Sequence, residues 1–196
     1  MAISIRALTP GFAGEVSGAD LTRPLDATEV AAIEAGMDEY GVLVFHDQQI
    51  DDEQQVAFSL NFGELERPDR VSNITKPEDR RIRNDLADIS NLDKNNKLHG
   101  RDDRQRLFNL GNRLWHSDSS FRRIPAKYSL LSGRVVPSKG GDTEFADMRA
   151  AYDALDDETK AEIEDLVCEH SLIYSRGLLG FDTDMSEDER RNFAPA

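Results

Sequence analysis

His116 and Asp118 stand two residues apart in "LWHSDSSF", directly after Trp115, in a chain of 196 residues that holds four histidines. An imidazole nitrogen and a carboxylate oxygen can serve one divalent cation, and on a strand residues two apart share a face, with Ser117 turned away. A second histidine from elsewhere would complete the two-histidine, one-carboxylate face of non-haem Fe(II) oxygenases, which leaves three positions open. An imidazole hydrogen-bonded to an acid would give the same triplet, so the triplet alone does not decide. Cys168 is the only cysteine, which rules out an intrachain disulfide and a thiolate cluster. Any metal must be held by nitrogen and oxygen.

The elements that must position this pair come from a chain with 38% apolar residues, enough for one core and one globular unit. Its 24 basic against 38 acidic residues give a net charge of −14. Such a surface repels phosphate backbones and anionic lipid heads, which argues against nucleic acid and membrane as partners. No apolar run is long enough for a signal-peptide core or a membrane span, so a cytoplasmic protein is expected. Whether it forms a homo-oligomer is left open.

"ISIRAL", a Pro-Gly turn and "GFAGEVSG" read as two short strands. Asp26 with Glu29 is a capping-box pattern, and Val30, Ile33, Met37 and Tyr40 follow at helical spacing, so a helix is expected over about 27–40, ended near Gly41. "VLVF" is then a buried strand, and Asp51 with Gln54 opens a second helix that stops near Gly63. Residues 64–105 are polar and charged apart from "LADISNL", which reads as one strand; so long an irregular stretch is either a lid-like insertion or mobile surface. Strands are expected at "LWHSDSSF", "AKYSLLSGRVV", "DTEFAD" and "EHSLIYSR". Helices are expected after Met148, around Ile163 to Val167, and in the charged stretch near the end.

Together with "VLVFHDQ", "DEQQVAFSLNFG", "LADISNL" and "GGDTEFADMRAAYDAL", the "LWHSDSSF" segment resembles the Fe(II)- and 2-oxoglutarate-dependent dioxygenases of the taurine dioxygenase group. Within that group it is most similar to the 2,4-dichlorophenoxyacetate dioxygenases, alpha type included, over nearly the whole chain. The resemblance implies an α+β fold, a double-stranded β-helix (jelly-roll, cupin-like) core with flanking helices. It implies Fe(II), with 2-oxoglutarate and O2 as co-substrates, and a small anionic organic substrate such as an aryloxyacetate. That substrate would be hydroxylated beside its ether oxygen and fall apart to a phenol and glyoxylate, while the co-substrate leaves as succinate and CO2. His116 and Asp118 match the first two iron ligands, Thr143 the threonine that binds a carboxylate of 2-oxoglutarate, and Asn112 a pocket asparagine that contacts co-substrate or substrate.

The family's distal histidine and its 2-oxoglutarate arginine fall beyond Ala196, and neither His170 nor Arg176, Arg190 or Arg191 sits in the closing motif. Residues 1–196 are therefore expected to be a single partial domain, the N-terminal two-thirds of an enzyme without its C-terminal strands, inactive and poorly stable alone. Two other classes stay open: a metal-free jelly-roll binding module, and a zinc metallohydrolase built on His116, Asp118 and His170. Trp115 is expected to wall the metal pair from water. His46 is expected to be a loop residue, His99 solvated, His170 a hydrogen-bonded structural residue, Arg122 and Arg123 surface cations, and Cys168 core.

Overall fold

The structure, a computed structural model, describes residues 2–66, 75, 77–180 and 185–194. Its elements in chain order are β1 (Ser4–Thr9), β2 (Phe12–Ser17), α1 (Ala27–Tyr40), β3 (Leu43–Phe45), α2 (Asp52–Ser59), α3 (Arg104–Asn109), α4 (Met148–Asp153), α5 (Asp157–Ile163), α6 (Leu172–Gly177) and α7 (Glu187–Asn192). The chain divides into two compact units, one of Met1–Gly63 with Leu130–Val167 and one of Glu64–Ser129 with Cys168–Ala196.

In the first unit β1 and β2 form an antiparallel hairpin, Ser4 opposite Ser17 and Thr9 opposite Phe12. Gly11 takes φ 74° in its turn, a conformation that costs glycine little. β3 joins β2 in parallel, Gly14 opposite Leu43 and Val16 opposite Phe45. A parallel pair needs a crossover, and α1 supplies it. Asp26 caps that helix by accepting from the amides of Thr28 and Glu29, while the Glu29 carboxylate accepts from the Asp26 amide. The left-handed Gly41, φ 70°, ends it. The same reciprocal box, Asp51 with Gln54, starts α2. Leu21, Ile33 and Phe58 make the core here, packed by Leu25, Leu43, Phe45, Ile50 and Phe62. Phe58 meets Phe45 and Phe62 edge-on, with centroids 5.8 and 5.3 Å apart.

In the second unit short capped helices gather around Phe108, Leu172, Met185 and Phe193. Asp103 caps α3, Ser171 caps α6, and Ser186 with Glu189 boxes α7. Arg104 of α3 donates to both carboxylate oxygens of Glu189 at 3.0 Å, tying α3 to α7. In the charged segment Arg81 forks onto Asp88 at 2.7 and 2.9 Å and reaches Asn96 at 2.8 Å. These contacts tie three stretches of the segment through one guanidinium.

Several expected strands are absent among the described residues. "EHSLIYSR" contains helix α6, started by the Ser171 cap. "LADISNL" holds only an isolated bridge, Leu92 opposite Leu98. "LWHSDSSF", "AKYSLLSGRVV" and "DTEFAD" carry no ladder. A strand exists through its partner, and these segments pair with no described residue, however well their composition suits a sheet. Cys168, expected in the core, is exposed. Among the described residues no helix is long and apolar enough to cross a membrane.

Candidate functional site

α3 runs into a 3-10 turn, Leu110–Arg113, and the chain leaves it extended at Leu114, φ −88° and ψ 145°. A turn follows, with Arg122 donating to the Ser119 carbonyl at 2.9 Å and Ser119 at φ 55°. His116 and Asp118 therefore meet across a local bend and not along a strand. His116 Nε2 lies 3.2 Å from Asp118 Oδ1.

The other ring nitrogen decides what that distance means. His116 Nδ1 is 2.6 Å from the Leu114 carbonyl oxygen, which can only accept, so Nδ1 carries the proton and donates it. In the neutral ring the Nε2 lone pair then faces a carboxylate oxygen. Two such atoms attract only through a shared proton or a shared cation. Metal-bound histidines commonly have their second nitrogen tied to a carbonyl in this way. An octahedral ion with bonds of about 2.1–2.2 Å at right angles needs its two donors about 3.0–3.1 Å apart. The pair fits two legs of a metal site, and both side chains stay open to a ligand, 45% and 60% exposed.

Among the described residues no three His, Cys, Asp or Glu side chains are placed to hold a metal. His170 is exposed and hydrogen-bonds to no described residue, so it is neither the structural histidine expected from its junction nor the third ligand of a zinc site. Trp115 is 69% exposed and does not wall the pair.

Asn112 lies in the 3-10 turn four residues before His116, and its Oδ1 accepts from Arg176 Nη2 at 3.2 Å. Thr143 belongs to the first unit, exposed, two residues after the left-handed pair Gly140 and Gly141 at φ 71° and 79°. His46 is a loop residue as expected, 60% exposed, with Nε2 3.2 Å from Glu15 Oε1. His99 is not solvated: its side chain is 8% exposed and Nδ1 lies 3.2 Å from Oδ2 of Asp103, the cap residue of α3. Arg123 is a surface cation, whereas Arg122 is only 19% exposed, its guanidinium 5.0 Å over the Phe121 ring and Nε 3.5 Å from Glu66.

Sequence reasoning set Arg176 aside, yet it is one of two buried charged side chains among the described residues, the other being Glu29. Burial pulls its pKa below the ordinary arginine value. The available signal was local: a glycine directly before Asn112, and an arginine within the apolar run "LIYSRGLL".

The family model described as taurine catabolism dioxygenase TauD, TfdA family matches residues 4–195. The alpha-ketoglutarate-dependent 2,4-dichlorophenoxyacetate dioxygenase of Cupriavidus pinatubonensis is 47% identical, over 100% of this chain and 67% of that protein. The protein of the same name from a Burkholderia species is 44% identical, over 100% of this chain and 65% of its own length. This chain thus spans about two thirds of the length of the curated relatives it matches. Among solved structures, that of AAD-2 in complex with Mn(II) and N-oxalylglycine is similar at a TM-score of 0.93 and 61% identity, covering 100% of this chain and 67% of that one. At that level the α+β fold is shared with the solved relative. Matched almost from end to end by one family model, the chain belongs to the TauD, TfdA family of dioxygenases.

Proposed function

We propose that this chain contributes two metal legs and a co-substrate contact to an Fe(II)- and 2-oxoglutarate-dependent dioxygenase acting on a small organic carboxylate of the aryloxyacetate type. The observation that carries the reading is the His116 ring, held by the Leu114 carbonyl with Nε2 turned to Asp118. The substrate class is supported by relatives named for 2,4-dichlorophenoxyacetate and for (S)-phenoxypropionate. The continuous family match supports reading residues 1–196 as part of one catalytic domain.

When bound, the metal with 2-oxoglutarate and O2 supplies the oxidation: one oxygen atom enters a substrate C–H bond, and the co-substrate becomes succinate and carbon dioxide. The residues of this chain bind and orient. His116 offers a neutral nitrogen whose direction is set by its own hydrogen bond, and Asp118 offers a charged oxygen that offsets part of the metal's charge. The Thr143 hydroxyl suits a carboxylate oxygen of 2-oxoglutarate, and the Asn112 amide a polar group of the ligand. Among the described residues no third leg joins the pair.

Anaerobic titration with Fe(II) and 2-oxoglutarate, made on the protein at its full natural length, tests the reading. A visible charge-transfer band is expected, lost in His116→Ala and in Asp118→Ala. Thr143→Val should keep the band while weakening 2-oxoglutarate binding about tenfold, the worth of one hydrogen bond to a charged group. A native protein that binds Fe(II) and 2-oxoglutarate without any band, or a band that survives His116→Ala, overturns it.

A further inference from the structure

Glu29 and Arg176 are both buried, but their surroundings differ. Glu29 has the Arg23 guanidinium as its counter-ion. Arg176 has no carboxylate among the described residues, and its Nε is buried with no hydrogen-bond partner. Burying a charge without a counter-ion is costly, and such a group is kept in place by something else. Here the Phe108 ring lies 4.7 Å from the guanidinium carbon on one side. The backbone of Gly111 lies against it on another: a Cβ at that position would come within 1.9 Å of Nη1, so only glycine admits the guanidinium there.

What Arg176 holds is Asn112. A guanidinium has donors only, so the atom of the carboxamide that faces it must be Oδ1, as the 3.2 Å contact shows. The amide's NH2 is thereby turned away from the guanidinium. Asn112 is exposed, and its NH2 donates to no described residue. A positive charge behind the carbonyl oxygen polarises the amide and strengthens its N–H groups toward an anionic acceptor. The geometry points to Arg176 as a positioning residue: through Asn112 Oδ1 it fixes the carboxamide so that its NH2 is offered to a carboxylate of the bound small molecule. This rests on the reading of Asn112 as a ligand contact given under the proposed function.

The test is steady-state kinetics on the Fe(II)-loaded protein at its full natural length, varying 2,4-dichlorophenoxyacetate and 2-oxoglutarate in turn. Arg176→Lys is expected to raise KM for one of the two about tenfold with kcat within about twofold, the pattern of a lost contact made equally in ground and transition states. The ligand whose KM moves is the one whose carboxylate is held. Asn112→Ala should raise the same KM, and adding Arg176→Lys to it should change nothing further. Asn112→Asp should raise that KM and also raise Tm, since the buried guanidinium gains a carboxylate partner. The melting measurement needs no turnover and no arginine variant, so it reads the Arg176–Asn112 contact whatever the substrate.

An Arg176→Lys effect as large in the Asn112→Ala background as in the native protein overturns the inference. So does a variant with lower Tm and kcat and an unchanged KM, or an Asn112→Asp protein no more stable than the native one. If Asn112→Ala leaves both KM values unchanged, Asn112 is no ligand contact and the inference falls with that assignment. The His116-dependent charge-transfer band would still support the dioxygenase reading in that case.

Discussion

A single proton sets the character of the candidate metal pair. With Nδ1–H given to the Leu114 carbonyl, His116 has one direction left in which to act, and Asp118 lies along it. Glu29 is a carboxylate whose charge is held by its neighbours. Hydrogen bonds from the Arg23 guanidinium and from the Asp26 amide hold its carboxyl down at about 2, against an ordinary value of 4.5. A carboxyl depressed in the folded state contributes stability that is present above its unfolded value and is lost as pH falls toward its folded one. Native protein should therefore lose this contribution between about pH 4.5 and 2. Glu29→Gln should be less stable than native at pH 7 and flatter across that window. Urea midpoints measured down the pH range check this, and parallel profiles for the two proteins would refute it.

At the scale of elements, the starts of α1, α2 and α7 are reciprocal caps whose every participant lies within three residues. Asp26→Ala removes the acceptor for two amides at the head of α1 and should cost about 1 kcal/mol, read as a lower urea midpoint at an unchanged slope. Asp26 with Glu29, Asp51 with Gln54 and the Pro-Gly hairpin were legible in the sequence for this reason: the cause and the element are neighbours in the chain. The strands expected between Leu114 and Asp147 were not, because a ladder is decided by distant segments that a local pattern does not contain. His116 and Asp118 could be singled out by type and spacing, but the bend that brings them together and the carbonyl that orients the ring could not. Arg176 went unread because its partner lies 64 residues away. His99 was misread because a histidine in charged surroundings suggests solvent, while here its ring is 8% exposed and lies beside Asp103.

For the molecule as a whole, the two small cores leave much apolar surface bare. Ile124, Val135, Val136 and Val167 are between 79% and 95% exposed. Soluble proteins rarely leave so many large apolar side chains open to water together. The 196-residue polypeptide on its own should bind a hydrophobic dye at neutral pH and melt over a broad range. A sharp, cooperative transition without dye binding would show that these side chains are covered in solution. The net charge of −14 opposes association of such surfaces. The parallel pairing of β2 with β3 across α1 bears on a different matter, the order in which the chain acquires structure. That whole arrangement, hairpin, crossover helix and third strand, closes within residues 4–45, and its strand pairing involves no residue made later. Its contacts are short in sequence and carry little loop-closure entropy, so the first unit can begin to assemble while synthesis of the segment bearing His116 has yet to begin.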